Sequence, residues 1–271
     1  MELIAAAKMR RAQQRVLASR PYATKLIDFV GDLVARQSAA GAGELHPLME
    51  VREPGNIGVI LVTPDRGLCG GLNANLIRTA TRFSTEQTTP VSWTAVGRKG
   101  RDFLVRYGRD VRAEFTAFGD FPSPIDTAPI AAVAVEGYTE RKVDRVYLVF
   151  ADYVSVSTQR PTIRQLLPIQ PPEESDRDAT ALPSDFEYEP DPDTVLGTLL
   201  PRYVEMLIYQ AVLENAASEQ TARMVAMRNA TDSAEEMISD LSLIYNKARQ
   251  ESITTELLDL VGGVAALEAA S

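Results

Sequence analysis

The residues closest to a reactive site form the run DRGLCGGLN, Asp65 to Asn73. A buried-type strand precedes it and a helix pattern follows it. Glycine loops that open a helix are where backbone N–H groups cradle phosphates. The spacing matches neither phosphate code, however. Gly67 is followed by Gly70 and Gly71 with no Lys, so there is no G-x-x-x-x-G-K-[ST], and G-x-G-x-x-G is absent too. The run therefore reads as a tight turn or contact loop ahead of a nucleotide site. Cys69, the single cysteine, has no His near it in sequence, and the single His46 lies in a Gly/Pro-rich linker. A nucleophilic pair and a zinc site are both unsupported. Glu235 and Glu236 sit on adjacent helix positions and do not converge on one substrate. No catalytic, cofactor-binding or metal-binding residue is assigned.

A further polar group, Arg249, Gln250, Thr254, Thr255 and Glu256, has the chemistry for charged hydrogen bonds to a partner. Ordinary helix surface is the equal alternative. The element that must carry it is long. No Gly or Pro occurs between Pro201 and Gly262, and the helix expected over Arg202 to Val261 would extend about 90 Å at the usual rise. Along it, Met206, Gln210, Leu213, Ala217, Gln220, Met224, Met227, Thr231, Ala234, Ile238, Leu241, Tyr245 and Ala248 recur at steps of four and three, a coiled-coil seam interrupted by polar residues.

A matching seam runs through the first 39 residues: Ala5, Met9, Ala12, Val16, Ser19, Ala23, Leu26, Val30 and Leu33. Pro21 should kink this helix, because it removes the bond back to Leu17. Two seams imply a pair. Between them strands alternate with helices: strands at 57–63, 91–96, 111–115 and 145–151, with helices from about Asn73, over 98–107 and over 129–136. That order predicts an α/β unit with a mostly parallel sheet covered on both faces. Val154 to Thr158 and Thr162 to Ile169 read as a hairpin or an edge strand. The Pro-rich acidic stretch from Gln170 to Asp193 reads as a loop.

Composition excludes several classes. The chain has 271 residues and a formal charge of −9, which argues against nucleic acid as the main partner. A single cysteine rules out an internal disulfide and fits a reducing compartment. No apolar run reaches the roughly 18 residues that a membrane span needs.

Beyond DRGLCGGLN, the motifs AAAKMRRAQ (from Ala5), SRPYA (from Ser19), PTIRQLLP (from Pro161), YEPDP (from Tyr188), ENAASEQTARMVAMRNATDSA (from Glu214) and YNKARQESITTEL (from Tyr245) resemble the gamma subunit of bacterial F-type ATP synthase over essentially the whole chain. The resemblance implies a Rossmann-like, mostly parallel sheet domain inserted between two long helices forming an antiparallel coiled coil. It divides the chain into a helix and linker at 1–52, a foot at 53–192 and a long helix at 193–271.

It also implies a non-catalytic central-stalk rotor, turned by the membrane c-ring and cycling the β sites of an α3β3 hexamer, with the epsilon subunit beside the foot. The chain would then lie peripherally on the cytoplasmic face of the cell membrane. Contacts to β would fall on Arg249, Gln250, Thr254 and Glu256, with Glu219 and Arg223 lower on the shaft. Tyr188 and Glu189 would face the ring and epsilon. The paired-cysteine loop of chloroplast members is missing, so that form of thiol regulation is not expected. Family members begin about one helical segment further upstream; a misassigned start, a trimmed chain and an upper shaft of a single helix each account for this. The alternative from a different class is a nucleotide- or small-molecule-binding α/β enzyme with a coiled-coil dimerisation arm.

Overall fold

The computed structural model describes residues 1–40, 46–156, 158–170, 189 and 192–270. It contains a first helix α1 (Glu2–Ala40), a short 3₁₀ turn (Pro47–Met49), β1 (Ile57–Val62), α2 (Leu72–Glu86), β2 (Val91–Val96), α3 (Arg98–Arg106), β3 (Val111–Phe115), α4 (Pro124–Thr139), β4 (Arg145–Tyr153), β5 (Gln159–Leu167) and α5 (Pro192–Ala270). The sheet order is β3-β2-β1-β4-β5, parallel except for β5, which runs antiparallel to β4.

The apolar strands are buried on both faces, as their unalternating composition requires. Ile57, Val59 and Leu61 pack with Trp93, Ala95 and Leu104 on the side of α2 and α3. Ile60, Val62, Leu148 and Phe150 point the other way, into a core shared with α4, α1 and the lower part of α5. The expected doubly covered sheet is therefore present.

Two compact units divide the chain, Met1–Val225 and Ala226–Ser271. Within the first, α1 and α5 pair antiparallel, and the anticipated α5 seam packs on α1 as far as Met224, whereas its expected continuation from Thr231 to Ala248 is exposed. Leu26 and Val30 lie in the core with Leu196, Leu200 and Val204. Ala12 and Val16 meet Leu213 and Ala217. Ala5 and Met9 meet Met224. The basic character of α1 is used locally: Lys8 pairs with Asp120 at 2.7 Å, and Arg15 stacks over the Phe121 ring. The second unit is helix, and its side chains from 228 to 265 are exposed, including Ile238, Leu241, Tyr245, Leu257, Leu258 and Val261.

Three boundaries differ from the sequence expectation, while helix α1 runs on through Pro21 without ending, as expected. Helix α5 starts at Pro192, ten residues before Arg202, and passes through Gly197 and Pro201. Burial of Leu196, Leu200 and Val204 along one stripe offsets the poor helix propensity of those two residues. Helix α4 begins at Pro124, with Pro at its first position and a Ser123/Asp126 capping box, so it is longer than the 129–136 expected. Finally, 159–161 is strand and not turn. The chain reverses between Ser155 and Thr158, and β5 pairs from Tyr153↔Gln159 to Val146↔Leu167. An edge strand tolerates Pro161, because one of its sides makes no ladder bonds.

One glycine is indispensable to this packing. Gly97 has φ +91°, and a Cβ there would lie 1.8 Å from the Thr63 carbonyl oxygen. Gly97→Ala is expected to destabilise the first unit by on the order of 3 kcal/mol, from the strained backbone and the clash together. A urea melt of the isolated chain checks this; an unchanged midpoint would refute it.

Candidate functional site

The run DRGLCGGLN leaves the C-terminal end of β1, and Asp65, Cys69 and the Asn73 amide nitrogen are engaged by the chain itself, whereas Asn73 Oδ1 is buried without a partner among the described residues. Asp65 accepts from the backbone N–H of Arg98 at 2.9 Å and from that of Ala117 at 3.0 Å, so it caps α3 and anchors the loop after β3. Thr63 Oγ1 accepts from the Gly100 N–H at 2.8 Å, satisfying another free donor in the first turn of α3. Leu68 and Gly70 adopt positive φ, 63° and 57°, which makes the turn sharp. Cys69 is buried beneath Leu72, Leu76 and Ala151, and Asn73 Nδ2 lies 3.2 Å from its sulfur. Burial pushes its thiol pKa up and the Glu219 charge adds to this, with Arg223 opposing. A neutral thiol of this kind is a poor nucleophile.

In open α/β sheets, ligands bind in the crevice beyond the strand C-termini where the strand order reverses. Here that point lies between β1 and β4. Helix α5 occupies it. Ser218 Oγ donates to the Ala151 carbonyl at the end of β4, 3.1 Å away. Ala222 packs on the Cys69, Leu72, Leu76 and Ala151 cluster. Arg223 Nη2 donates to the Gly67 carbonyl at 3.2 Å and to Glu219 Oε1 at 2.6 Å. The side chains of Glu219 and Arg223 are only 16% and 12% exposed. Desolvation raises the Glu219 pKa, and the bond from Arg223 partly offsets it. The glycine loop is thus a docking surface for a helix, and the nucleotide-site reading loses its crevice.

The residues expected to meet partners separate into three places. Arg249, Gln250, Thr254 and Glu256 lie together on the exposed helix of the second unit. There Thr254 Oγ1 donates to the Gln250 carbonyl at 2.8 Å, and Ser252 Oγ reaches Glu256 Oε1 at 3.5 Å. Glu219 and Arg223 face their own chain's loop. Glu189 is exposed ahead of α5, and Tyr188 lies outside the described residues.

Among the described residues no cluster of three His, Cys, Asp or Glu side chains could hold a metal, and no helix is long and apolar enough to cross a membrane. His46 serves as a local cap: its Nδ1 accepts from the Leu48 N–H at 3.2 Å, and burial lowers its pKa.

Three residues were not singled out from sequence: Asp65 as a helix cap, Ser218 as a strand-end donor and Glu214 as a buried carboxylate. The small-residue run Ala216, Ala217, Ser218, Thr221 and Ala222 is the local feature from which a close helix–sheet approach could have been read.

A family model described as ATP synthase matches residues 1–267. The ATP synthase gamma chain of Dehalococcoides mccartyi strain CBDB1 is 50% identical over 272 residues, covering 98% of this chain and 92% of that protein. The chain belongs to the ATP synthase gamma-chain family. The gamma chain of Herpetosiphon aurantiacus is 47% identical over 276 residues, with the same coverage of 98% and 92%. The gamma-chain fold is shared with a solved structure of the Tetrahymena thermophila mitochondrial ATP synthase central stalk and c-ring, at TM-score 0.67 and 22% identity over 85% of this chain and 97% of that one. As a gamma-family member the chain is a non-catalytic subunit of ATP synthase, and the alternative of an α/β enzyme is set aside.

Glu214 gives this gamma-family core a pH dependence. It is 4% exposed, accepts a bond from Gln210 at 3.0 Å, and has its pKa raised by burial, with Asp152 adding and Arg164 and Arg20 opposing. The folded chain therefore holds a proton there more readily than the unfolded chain does. The charged form costs stability above the folded pKa, and the cost vanishes as pH falls below the ordinary value of 4.5. Glu214→Gln is expected to melt higher than the parent at pH 8, with the gap closing toward acid pH. Equal or lower stability of the variant at pH 8 would contradict this.

Proposed function

We propose that this rotor subunit of ATP synthase turns its upper helix inside a ring of alternating α and β subunits. Its foot, 53–192, rides on the membrane c-ring beside the epsilon subunit, at the cytoplasmic face of the bacterial membrane. The observation that supports this reading is the contrast along α5. Up to Met224 its own chain buries it on several sides, whereas from 228 to 265 large apolar residues such as Leu241, Leu257, Leu258 and Val261 are exposed. A lone helix of that composition needs partners to cover it.

Rotation accounts for the seam's polar interruptions. A shaft facing three chemically identical neighbours must present a different face to each, and a uniformly apolar surface would bind one orientation too tightly. On this reading Arg249, Gln250, Thr254 and Glu256 make charge-assisted contacts with β near the end of α5, and Tyr188 and Glu189 meet the ring and epsilon. The helix and linker at 1–52 and the long helix from 193 form the shaft. The family resemblance supplies these assignments, and the exposed polar side chains at 249–256 are compatible with them.

Two outcomes are expected. The isolated chain shows no saturable ATP binding, while the tagged chain co-purifies with α and β subunits; nucleotide binding without that association would count against the proposal. Arg249→Ala with Gln250→Ala weakens assembly or ATP-driven proton pumping by roughly tenfold, the worth of one charge-assisted hydrogen bond. Glu235→Ala with Glu236→Ala changes neither. Comparable pumping in both double variants would sink the assignment of the 249–256 contacts.

A further inference from the structure

We infer that Arg223 and Ser218 form the latch through which torque passes between the long helix and the foot, and that Glu219 serves this latch rather than an external partner. The inference rests on the rotor reading. Its basis is the composition of the α5–foot interface. Below Leu213 the buried residues of α5 are largely apolar: Leu200, Val204, Leu207, Ile208, Ala211 and Val212 are in the shared core. Apolar burial is strong but non-directional, so it holds the helix against the foot without fixing its rotation or slide. Directional bonds supply that constraint, because a hydrogen bond weakens steeply once its donor leaves the line of the acceptor.

Two such bonds from α5 to the sheet lie at one level. Ser218, fully buried, donates to the Ala151 carbonyl at the end of β4. One turn further on, Arg223 donates to the Gly67 carbonyl in the loop after β1. The same guanidinium nitrogen is held by Glu219 at 2.6 Å, which aims it across the interface. Two adjacent strand ends are thereby tied to one helix face, just before Val225, where the first compact unit ends. The position is the appropriate one mechanically. It is the last place where torque in α5 can be handed to the sheet, and a tie at that level has the full interface below it to resist bending. The acceptors are backbone carbonyls of the sheet and its glycine loop, so on the foot's side load enters the main chain directly, and on the helix's side the Arg223 guanidinium is steadied by Glu219. Arg223 and Ser218 are positioning residues; neither touches a nucleotide site.

The test uses the whole ATP synthase in sealed vesicles, with Arg223→Met and Ser218→Ala introduced singly and together. The complexes are expected to assemble and hydrolyse ATP. Protons pumped per ATP should fall as an opposing proton gradient is raised, by roughly tenfold for the double variant, since a charge-assisted bond is worth about that factor. Arg223→Lys, which keeps the charge and loses the fork, should fall between. If Arg223→Met does not assemble, Arg223→Lys and Ser218→Ala carry the comparison.

In a second arm, Gly67→Cys with Arg223→Cys is joined after assembly by a short thiol cross-linker; a Cβ at Gly67 meets no atom within 4 Å. Cross-linking should recover the pumping lost without it, a response that a purely folding role would not give. Parent-like pumping under load in the double variant, or a loss that cross-linking leaves in place, overturns the latch. Failure of the unmodified chain to assemble into a pumping complex would instead overturn the rotor reading.

Discussion

The seating of α5 across the C-terminal ends of β1 and β4 is the constraint on which the rest of the structure depends. A twisted parallel sheet leaves a crevice where its strand order reverses, and most such folds use it for a ligand. Here Ser218, Ala222 and Arg223 enter it. The same helix face bears small residues because the sheet edge comes close, and larger side chains would hold the helix away. Filling that crevice turns a binding fold into a mechanical joint.

Several features follow from the joint. The loop after β1 must be sharp and glycine-rich to bring the Gly67 carbonyl up to Arg223, hence the positive φ of Leu68 and Gly70. Cys69 fills the space beneath it as a small apolar residue. Asp65 is diverted to the first turn of α3, which fixes the loop from its other side. Helix α1 completes the joint from outside, its seam residues covering α5 while Lys8 and Arg15 grip the 120–121 segment. Burying Glu214 and Glu219 in this layer costs desolvation. Their partners, Gln210 and Arg223, sit four residues away on α5, so neither carboxylate is left unpaired.

Much of this was legible in the chain. The four parallel strands could be placed to within two residues because β1, β2 and β4 are short runs rich in β-branched and apolar residues and β3, VRAEF, alternates in the period of a strand. Both seams could be read because steps of four and three have one geometric meaning. Punctuation by Pro and Gly misled in three places. Pro201, Pro129 and Pro161 read as boundaries, yet burial in α5, capping in α4 and an edge position in β5 each made the residue tolerable. Glu219 and Arg223 were placed on the shaft by the family resemblance alone; their tie to the loop could not be read locally, because only folding brings Gly67, 156 positions away, within reach of the guanidinium.

Periodicity, strand composition and long motifs are local properties of the chain, and they sufficed for the elements, for two helical seams able to pair and for the membership of a family. The tertiary structure alone decided what the Asp65 to Asn73 run is for. A glycine loop between strand and helix can cradle a phosphate or receive a helix with equal local propriety. The difference lies in what stands opposite it, and that is set by the packing of α5 on the sheet, a contact between segments about 150 residues apart.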